Sequence, residues 1–356
     1  MSGNNPIATI EHTTGISHSS QPAPTIKAVN LTKVFGDRVC VDHLNFGVHA
    51  GELYALLGDN GAGKTTTINM LTTLLSPTEG EFYICGYHGI RDAEKTKGVF
   101  GVVSQDVAIY QELTAYENLA FVAQLYGIPR QQAAPRIEQL LSQAGLSERA
   151  NDLAGEFSMG MQRKLSIATA ILHEPRVLFM DEPTVGLDPA SRRQIWASLK
   201  ELRAHGVTIL LTTHYLEEAE LLADRIGIIR QGKLVAEGTI DELRLKIQGI
   251  RSIAIRLTDQ LEPADLQSRI DRLLLRFPTQ VSFDPLRNTI SFAQPRDSQL
   301  ANCLHVVLGW LEEEKIRFSK FATSEPNLEE VFLAVAAGKD ERECSDIAMS
   351  NQGEPE

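Results

Sequence analysis

The stretch from Leu56 to Thr67 constrains this chain more than any other. It reads Leu-Leu-Gly-Asp-Asn-Gly-Ala-Gly-Lys-Thr-Thr-Thr. Gly58, Gly63, Lys64 and Thr65 match G-x-x-x-x-G-K-[S/T], the pattern of a phosphate-binding loop. Glycines let the backbone curl, so that the N–H groups of Asn60, Gly61, Ala62 and Gly63 can face inward. A helix starting near Lys64 and running through Thr65 and Thr66 adds the positive end of its dipole, which stabilises a triphosphate. Lys64 suits the β- and γ-phosphates as a point charge, and the Thr65 hydroxyl suits Mg²⁺. The flanks agree: Glu52 to Leu57 reads as a buried strand and Thr66 to Leu75 as a helix. A glycine-rich turn with no ligand is the competing reading, and the strand–loop–helix setting favours nucleotide binding over it.

The chain has 356 residues, enough for one large domain with an appendage or for two domains. Hydrophobic residues make up 43%, as in globular proteins with a real core. The formal charge of −12 argues against sequence-independent DNA or RNA binding. Cys40, Cys85, Cys303 and Cys344 lie far apart with no C-x-x-C pair, which reads as reduced thiols in a cytosolic protein. No apolar run approaches the roughly 20 residues that span a bilayer. The N-terminus lacks the basic region and apolar core of a signal peptide. If the protein serves a membrane process, another chain must supply the spanning part.

Residues 1–25 are rich in Ser, Thr, Asn, Gly and Pro and are expected to be disordered. Ile26 to Val34 and Leu44 to Val48 read as strands of a hairpin-rich edge, with Phe35-Gly36-Asp37-Arg38 as a turn. The residues alone leave two readings of Phe35 open: stacking on an adenine ring, or folding onto the sheet face. Gly80 to Ile84 and Val99 to Val103 read as further strands. Thr114-Ala-Tyr-Glu117 matches a capping box and opens a helical stretch, about residues 113–172, punctuated by Pro129 and Gly145. Val177 to Met180 reads as a strand buried on both faces, delivering Asp181-Glu182 at its C-terminal end, where open α/β sheets bind ligands. Asp188-Pro189 starts a helix. Val207 to Thr212 reads as the next buried strand, with His214 just past it. Short strands follow at Arg225 to Ile229 and Lys233 to Ala236, and Thr239-Ile-Asp-Glu242 is a second capping box. From 251 to 337 the order reads β-α-β-β-α-β, a ferredoxin-like arrangement with apolar stripes and no polar constellation, ending in a helix from Leu328 to Val335. The acidic tail 338–356 is expected to be disordered.

Several signals therefore follow the phosphate loop in chain order. They are Gln105 after a strand, Ser158-Met159-Gly160-Met161-Gln162 before a helix, Asp181-Glu182-Pro183, Gly186-Leu187-Asp188-Pro189, and His214. In this order they resemble the ATP-binding subunit of an ATP-binding-cassette (ABC) transporter, over residues 26 to about 248. The resemblance implies an α/β fold: a P-loop ABC ATPase core with an antiparallel β edge and an inserted helical subdomain, plus a small α+β C-terminal domain. It implies ATP and Mg²⁺ as ligands. Asp181 then corresponds to the Walker B carboxylate that holds Mg²⁺, alongside Thr65. Glu182 corresponds to the general base. Gln105 corresponds to the glutamine that senses Mg²⁺ and the attacking water, His214 to the switch histidine at the γ-phosphate, and Asp188 to the D-loop aspartate. Phe35 fits the adenine-stacking aromatic. Ser158 and Gly160 carry the signature motif, whose hydroxyl and helix N-terminus meet the γ-phosphate bound by the opposite subunit, so the resemblance implies a head-to-tail homodimer around shared ATP.

The signature departs from the family's usual L-S-G-G-Q. Phe157 replaces Leu, Met159 stands at the first Gly, and Met161 replaces Gln, as in the S-G-G-M variant of drug exporters. A methionine in place of glycine is strained if the loop needs φ > 0. The runs Asp224 to Lys233 and Asn327 to Ala334 resemble the daunorubicin-resistance and nodulation-exporter branch, whose permease is a separate chain. The resemblance thus implies an exporter's ATPase at the cytoplasmic face of a bacterial inner membrane. A soluble ABC protein with a non-transport role is the alternative. Such proteins usually carry paired cassettes or a long coiled coil, and this chain shows one cassette and no long heptad run.

Overall fold

The structure is a computed structural model. It describes residues 23–246, 252–258, 263–276, 281–285, 288–293, 300–324, 328 and 332. Of the ends expected to be disordered, residues 1–22 and 338–356 lie outside the described residues, as does most of the expected helix from Leu328 to Val335, whereas Thr25 is placed, its carbonyl accepting from Cys85 N–H at 2.7 Å.

The chain begins with β1 (Ile26–Phe35), β2 (Arg38–Val48) and β3 (Leu53–Leu57), followed by α1 (Lys64–Leu71). Next come β4 (Glu79–Ile84), β5 (Tyr87–His88), α2 (Ala93–Lys97) and β6 (Phe100–Val103). Three longer helices follow: α3 (Ala115–Leu125), α4 (Arg130–Gln143) and α5 (Met159–Ile171). The core closes with β7 (Val177–Asp181), α6 (Pro189–Ala204), β8 (Thr208–Thr213), α7 (Leu216–Leu222), β9 (Arg225–Arg230), β10 (Lys233–Gly238) and α8 (Ile240–Lys246).

A six-stranded sheet in the order β10-β9-β3-β8-β7-β6 forms the centre, parallel from β9 to β6. Every residue of β3, β7 and β8 is buried, as a parallel sheet covered on both faces requires. The period of two sorts the side chains between two cores. Leu178, Met180, Ile209 and Leu211 pack with α3, α4, α5 and α6. Val177, Phe179 and Leu210 pack with Met70 and Leu71 of α1 and with an antiparallel sheet, order β2-β1-β4-β5. β3, β8 and β7 lie side by side, with Leu57 opposite Thr213 and Thr212 opposite Asp181. Their C-terminal ends therefore deliver the phosphate loop, His214 and Asp181-Glu182 to one edge.

Both capping boxes form. Glu117 N–H donates to the Thr114 hydroxyl at 3.1 Å and Thr114 N–H to the Glu117 carboxylate at 2.8 Å. Thr239 and Glu242 pair in the same way at 2.9 and 3.2 Å. Several boundaries differ from the sequence reading, and two of them have a clear cause in the backbone. The hairpin turn is only Gly36-Asp37, with Gly36 at φ 56°, so Phe35 and Arg38 are paired strand ends. Helix α1 stops at Leu71, because Thr73 adopts φ 62° and no helix continues through a left-handed residue.

Beyond the core, β11 (Ser252–Leu257), α9 (Pro263–Arg276), β12 (Val281–Asp284), β13 (Thr289–Ala293), α10 (Leu300–Glu313) and β14 (Phe318–Ser324) follow. Their antiparallel sheet, order β12-β13-β11-β14, packs Ile253, Ile255 and Ile290 against Leu266, Ile270, Val307 and Trp310 of the two helices. Leu328 then returns to the core, buried beside Ala219 of α7 and Leu243 of α8, and its N–H donates to the Glu220 carboxylate at 3.0 Å.

Candidate active site

The phosphate loop wraps the start of α1. Gly63 is the N-cap at φ 108°, and a Cβ there would lie 2.6 Å from the Cys40 carbonyl oxygen, so only glycine fits. Lys64 is 4% exposed and folds back over the loop. Its Nζ donates to the Gly58 and Asp59 carbonyls at 2.8 and 3.1 Å and lies 3.2 Å from Glu182 Oε1. Thr65 is exposed, at the cavity described below.

Across the gap, the Thr212 hydroxyl donates to Asp181 Oδ1 and accepts from Glu182 N–H at 3.1 Å. The Glu182 N–H also donates to the Thr212 backbone carbonyl at 3.1 Å, so the Thr212 side chain aims Asp181 and shares in holding the Glu182 backbone. Glu182 is 6% exposed and sits at φ 45°, a left-handed conformation uncommon for a non-glycine residue and concentrated at functional sites. His214 Nδ1 lies 3.2 Å from Glu182 Oε2, close but out of hydrogen-bond alignment. The His214 ring tilts against Tyr215, centroids 4.1 Å apart, and Arg192 lies over the far ring at 4.9 Å.

Lys64, Thr65, Glu182, His214 and Tyr215 line one cavity of about 660 Å³. The structure brings Asn60, Gly61, Gly63, Lys64, Thr65, Thr66, Gln105, Glu182 and His214 to its wall. Gly58 and Ala62 hold the loop: Gly58 N–H donates to the Thr213 carbonyl at 3.3 Å, and the Ala62 carbonyl accepts from Gly232 N–H at 2.9 Å. Asp181 is buried behind the wall at 4% exposure.

The structure does not bring Phe35, Ser158, Gly160 or Asp188 to this cavity. Phe35 is exposed at the end of β1, with Lys33 Nζ 5.1 Å over its ring. Ser158 caps α5, accepting from Met161 N–H at 3.3 Å. Gly160 lies against α6, where a Cβ would sit 2.5 Å from Ser191 Oγ. Asp188 caps α6: Oδ1 accepts from Ala190 and Ser191 N–H at 2.9 and 3.0 Å, and Oδ2 from the Ser191 hydroxyl at 2.6 Å. The hydrogen bonds from Ser191 hold its carboxyl below the usual carboxylate range. Met159 is the first residue of α5 and is not left-handed, so no glycine-specific backbone is lost there. Its side chain is 54% exposed, with the sulfur beside Gly186.

The cavity wall also contains Arg38, Cys40, Val185 and Tyr215, none of which the sequence reading assigned to the site. Arg38 and Cys40 arrive through the antiparallel sheet, a contact with no local signature. Tyr215 carries a signal in hindsight, as the neighbour of His214.

A family model described as ABC transporter matches residues 41–185. The linearmycin resistance ATP-binding protein of Bacillus subtilis is 36% identical over 308 residues, covering 86% of this chain and 97% of that protein. The chain belongs to the ABC transporter family. Further members similar to it include a daunorubicin resistance ATP-binding protein of Streptomyces coeruleorubidus, 37% identical over 87% of this chain and 95% of that protein. A Nod factor export ATP-binding protein of Burkholderia lata is 39% identical over 78% and 90%. Among solved structures, an ATP-binding cassette dimer in a post-hydrolysis state with ADP and phosphate superposes with a TM-score of 0.55 at 29% identity, covering 60% of this chain and 98% of that one. This ABC subunit binds and hydrolyses ATP, and falls in the drug-resistance and Nod-factor-export branch.

In this ABC subunit the Thr212 hydroxyl bonds the Asp181 carboxylate and the Glu182 N–H. Thr212→Val keeps the shape and removes both hydrogen bonds of the hydroxyl. It is expected to lower ATP turnover about 10–100-fold, the usual loss when a partner that orients a metal-site carboxylate is removed. Steady-state ATPase assays across a Mg²⁺ titration check this; a wild-type rate at every Mg²⁺ concentration contradicts it.

Proposed function

We propose that this chain is the ATPase of an exporter, working as a head-to-tail homodimer that drives a separate permease from the cytoplasmic face of a bacterial inner membrane. The observation that carries the reading is the convergence of Lys64, Thr65, Gln105, Glu182 and His214 on one cavity. Support for export comes from what similar proteins are called: resistance ATP-binding proteins and a Nod factor export ATP-binding protein. Among the described residues no helix is long and apolar enough to cross a membrane. In this reading residues 26–248 are the ATP-binding domain, with a helical subdomain at about 113–172, and 251–337 is an accessory domain.

The reaction is ATP plus water to ADP plus phosphate. Lys64 leaves Glu182 and binds the β- and γ-phosphates, joined by the N–H groups of the loop. Glu182, freed of its cation, takes a proton from the attacking water. His214 binds the γ-phosphate and holds Glu182 in line. Thr65, Asp181 and Gln105 are oxygen donors of the kind that suits Mg²⁺, which usually takes one or two carboxylates together with substrate phosphates. When bound, Mg²⁺ neutralises charge on the phosphates. Phe35 stacks on the adenine. Ser158, Gly160 and the α5 N-terminus complete the partner's site, with Asp188 alongside. Their absence from the wall of this subunit's own cavity supports a shared arrangement, as does the dimeric state of the cassette described above.

Glu182→Gln keeps the shape and removes the base. Turnover is expected to fall about 10²–10⁴-fold, while MgATP gathers the protein into a stable dimer on size exclusion. Wild-type turnover means that Glu182 is not the base.

Met159 stands at the surface that meets the partner's nucleotide. Its backbone is unstrained, so side-chain bulk alone can slow closure. Met159→Gly and Met159→Ala are therefore expected to raise turnover to the same extent. ATPase rate against protein concentration decides it: curves equal to wild type show that the side chain is no obstacle.

A further inference from the structure

Arg163 lies on α5, five residues after Ser158, and its side chain is 2% exposed. The guanidinium reaches across to the loop after β6. Nη1 donates to the Ser104 carbonyl at 2.5 Å and Nη2 to the Gln105 carbonyl at 2.6 Å. Its Nε is buried with no hydrogen-bond partner. No carboxylate forms an ion pair with it among the described residues; Asp106 and Asp181 are the acidic groups that act on it through space. Burial pulls its pKa below the ordinary arginine range.

This is a costly way to fill a core. A buried cation facing only carbonyls loses its hydration without a full counter-charge, and a well-packed apolar side chain of similar volume avoids that loss. What an apolar side chain cannot do is grip two successive backbone carbonyls with a rigid planar fork. The two carbonyls belong to Gln105, whose side chain lines the ATP cavity, and to the residue before it. The helix holding the fork begins with Ser158 as its N-cap and carries Gly160.

We infer that Arg163 is a positioning residue of the ATPase reaction, a strut that sets Gln105 against the nucleotide and ties it to the helix that carries Ser158 and Gly160. The inference rests on the role of Gln105 in the proposed reaction. A shift of the Gln105 backbone toward bound nucleotide then pulls on α5 through two hydrogen bonds, and the orientation of the α5 N-terminus follows. The fork of Arg163 links α5 to the loop after β6 through a single side chain, so this link is open to direct test.

A double-mutant cycle on the full chain tests it, with Arg163→Met, Gln105→Ala and the double variant. The readouts are kcat and KM for ATP, with kcat counted per nucleotide-binding site so that unfolded protein does not enter. Arg163→Met is expected to lower kcat about 10–100-fold, with KM little changed. Added to Gln105→Ala, it is expected to cost at most about twofold more, because both act on one element. Arg163→Lys, which keeps the charge and a donor for one carbonyl, recovers part of the rate. If Arg163→Met does not fold, Arg163→Lys takes its place in the cycle under the same criterion. Losses that multiply overturn the inference, since Arg163 then acts independently of Gln105. Wild-type turnover in Gln105→Ala alone overturns the reading of Gln105 beneath it.

Discussion

The contact between Lys64 and Glu182 organises this molecule. Lys64 is a buried ammonium, and it needs a counter-charge and acceptors close at hand. It finds Glu182 at 3.2 Å and two loop carbonyls at 2.8 and 3.1 Å. Glu182 in turn is held in a left-handed backbone, with its N–H fixed by Thr212 and His214 beside its carboxylate. Removing one partner of a buried pair leaves an uncompensated charge and typically costs about 3–5 kcal/mol. A triphosphate is a partner that can replace Glu182 for Lys64 without that cost. In the proposed reaction the exchange releases the carboxylate beside the γ-phosphate, so ligand binding and the preparation of the base are one event.

The sheet makes this possible. The pair joins residues 118 positions apart in sequence, Lys64 and Glu182, which meet because β3 and β7 flank β8 in parallel and end at the same edge. Thr212 comes from the strand between them. The helices α3, α4 and α5 stand on one face of the sheet, and Arg163 is where α5 touches the edge that binds nucleotide.

Much of this was legible in the sequence because its signals are local. The phosphate loop, the Asp181-Glu182 pair and both capping boxes are written within a few residues each, and β3, β7 and β8 carry the apolar runs Leu53 to Leu57, Val177 to Met180 and Ile209 to Leu211. What the sequence hid depends on contacts across the fold. Cys40 meets Gly63 only because an antiparallel sheet lies over α1. Thr212 reads as an ordinary strand residue until its hydroxyl is found between Asp181 and Glu182. Arg163 reads as one more charged residue on a helix, yet it is buried. Met159 raised a question of strain that the helical backbone answers. The end of α1 is hidden in the sequence because Thr73, a β-branched residue, gives no sign of its left-handed backbone.

In the proposed reaction Lys64 passes from Glu182 to the triphosphate. The most direct measurement is the equilibrium affinity for ATP in excess chelator, where hydrolysis does not intervene, for wild-type protein and Glu182→Gln. If Glu182 competes with ATP for Lys64, the variant binds ATP more tightly than wild type, since a neutral amide holds the ammonium less strongly. An affinity for ATP about tenfold weaker in the variant, a loss of about 1.4 kcal/mol, would contradict the account, because Glu182 would then be helping to hold the nucleotide.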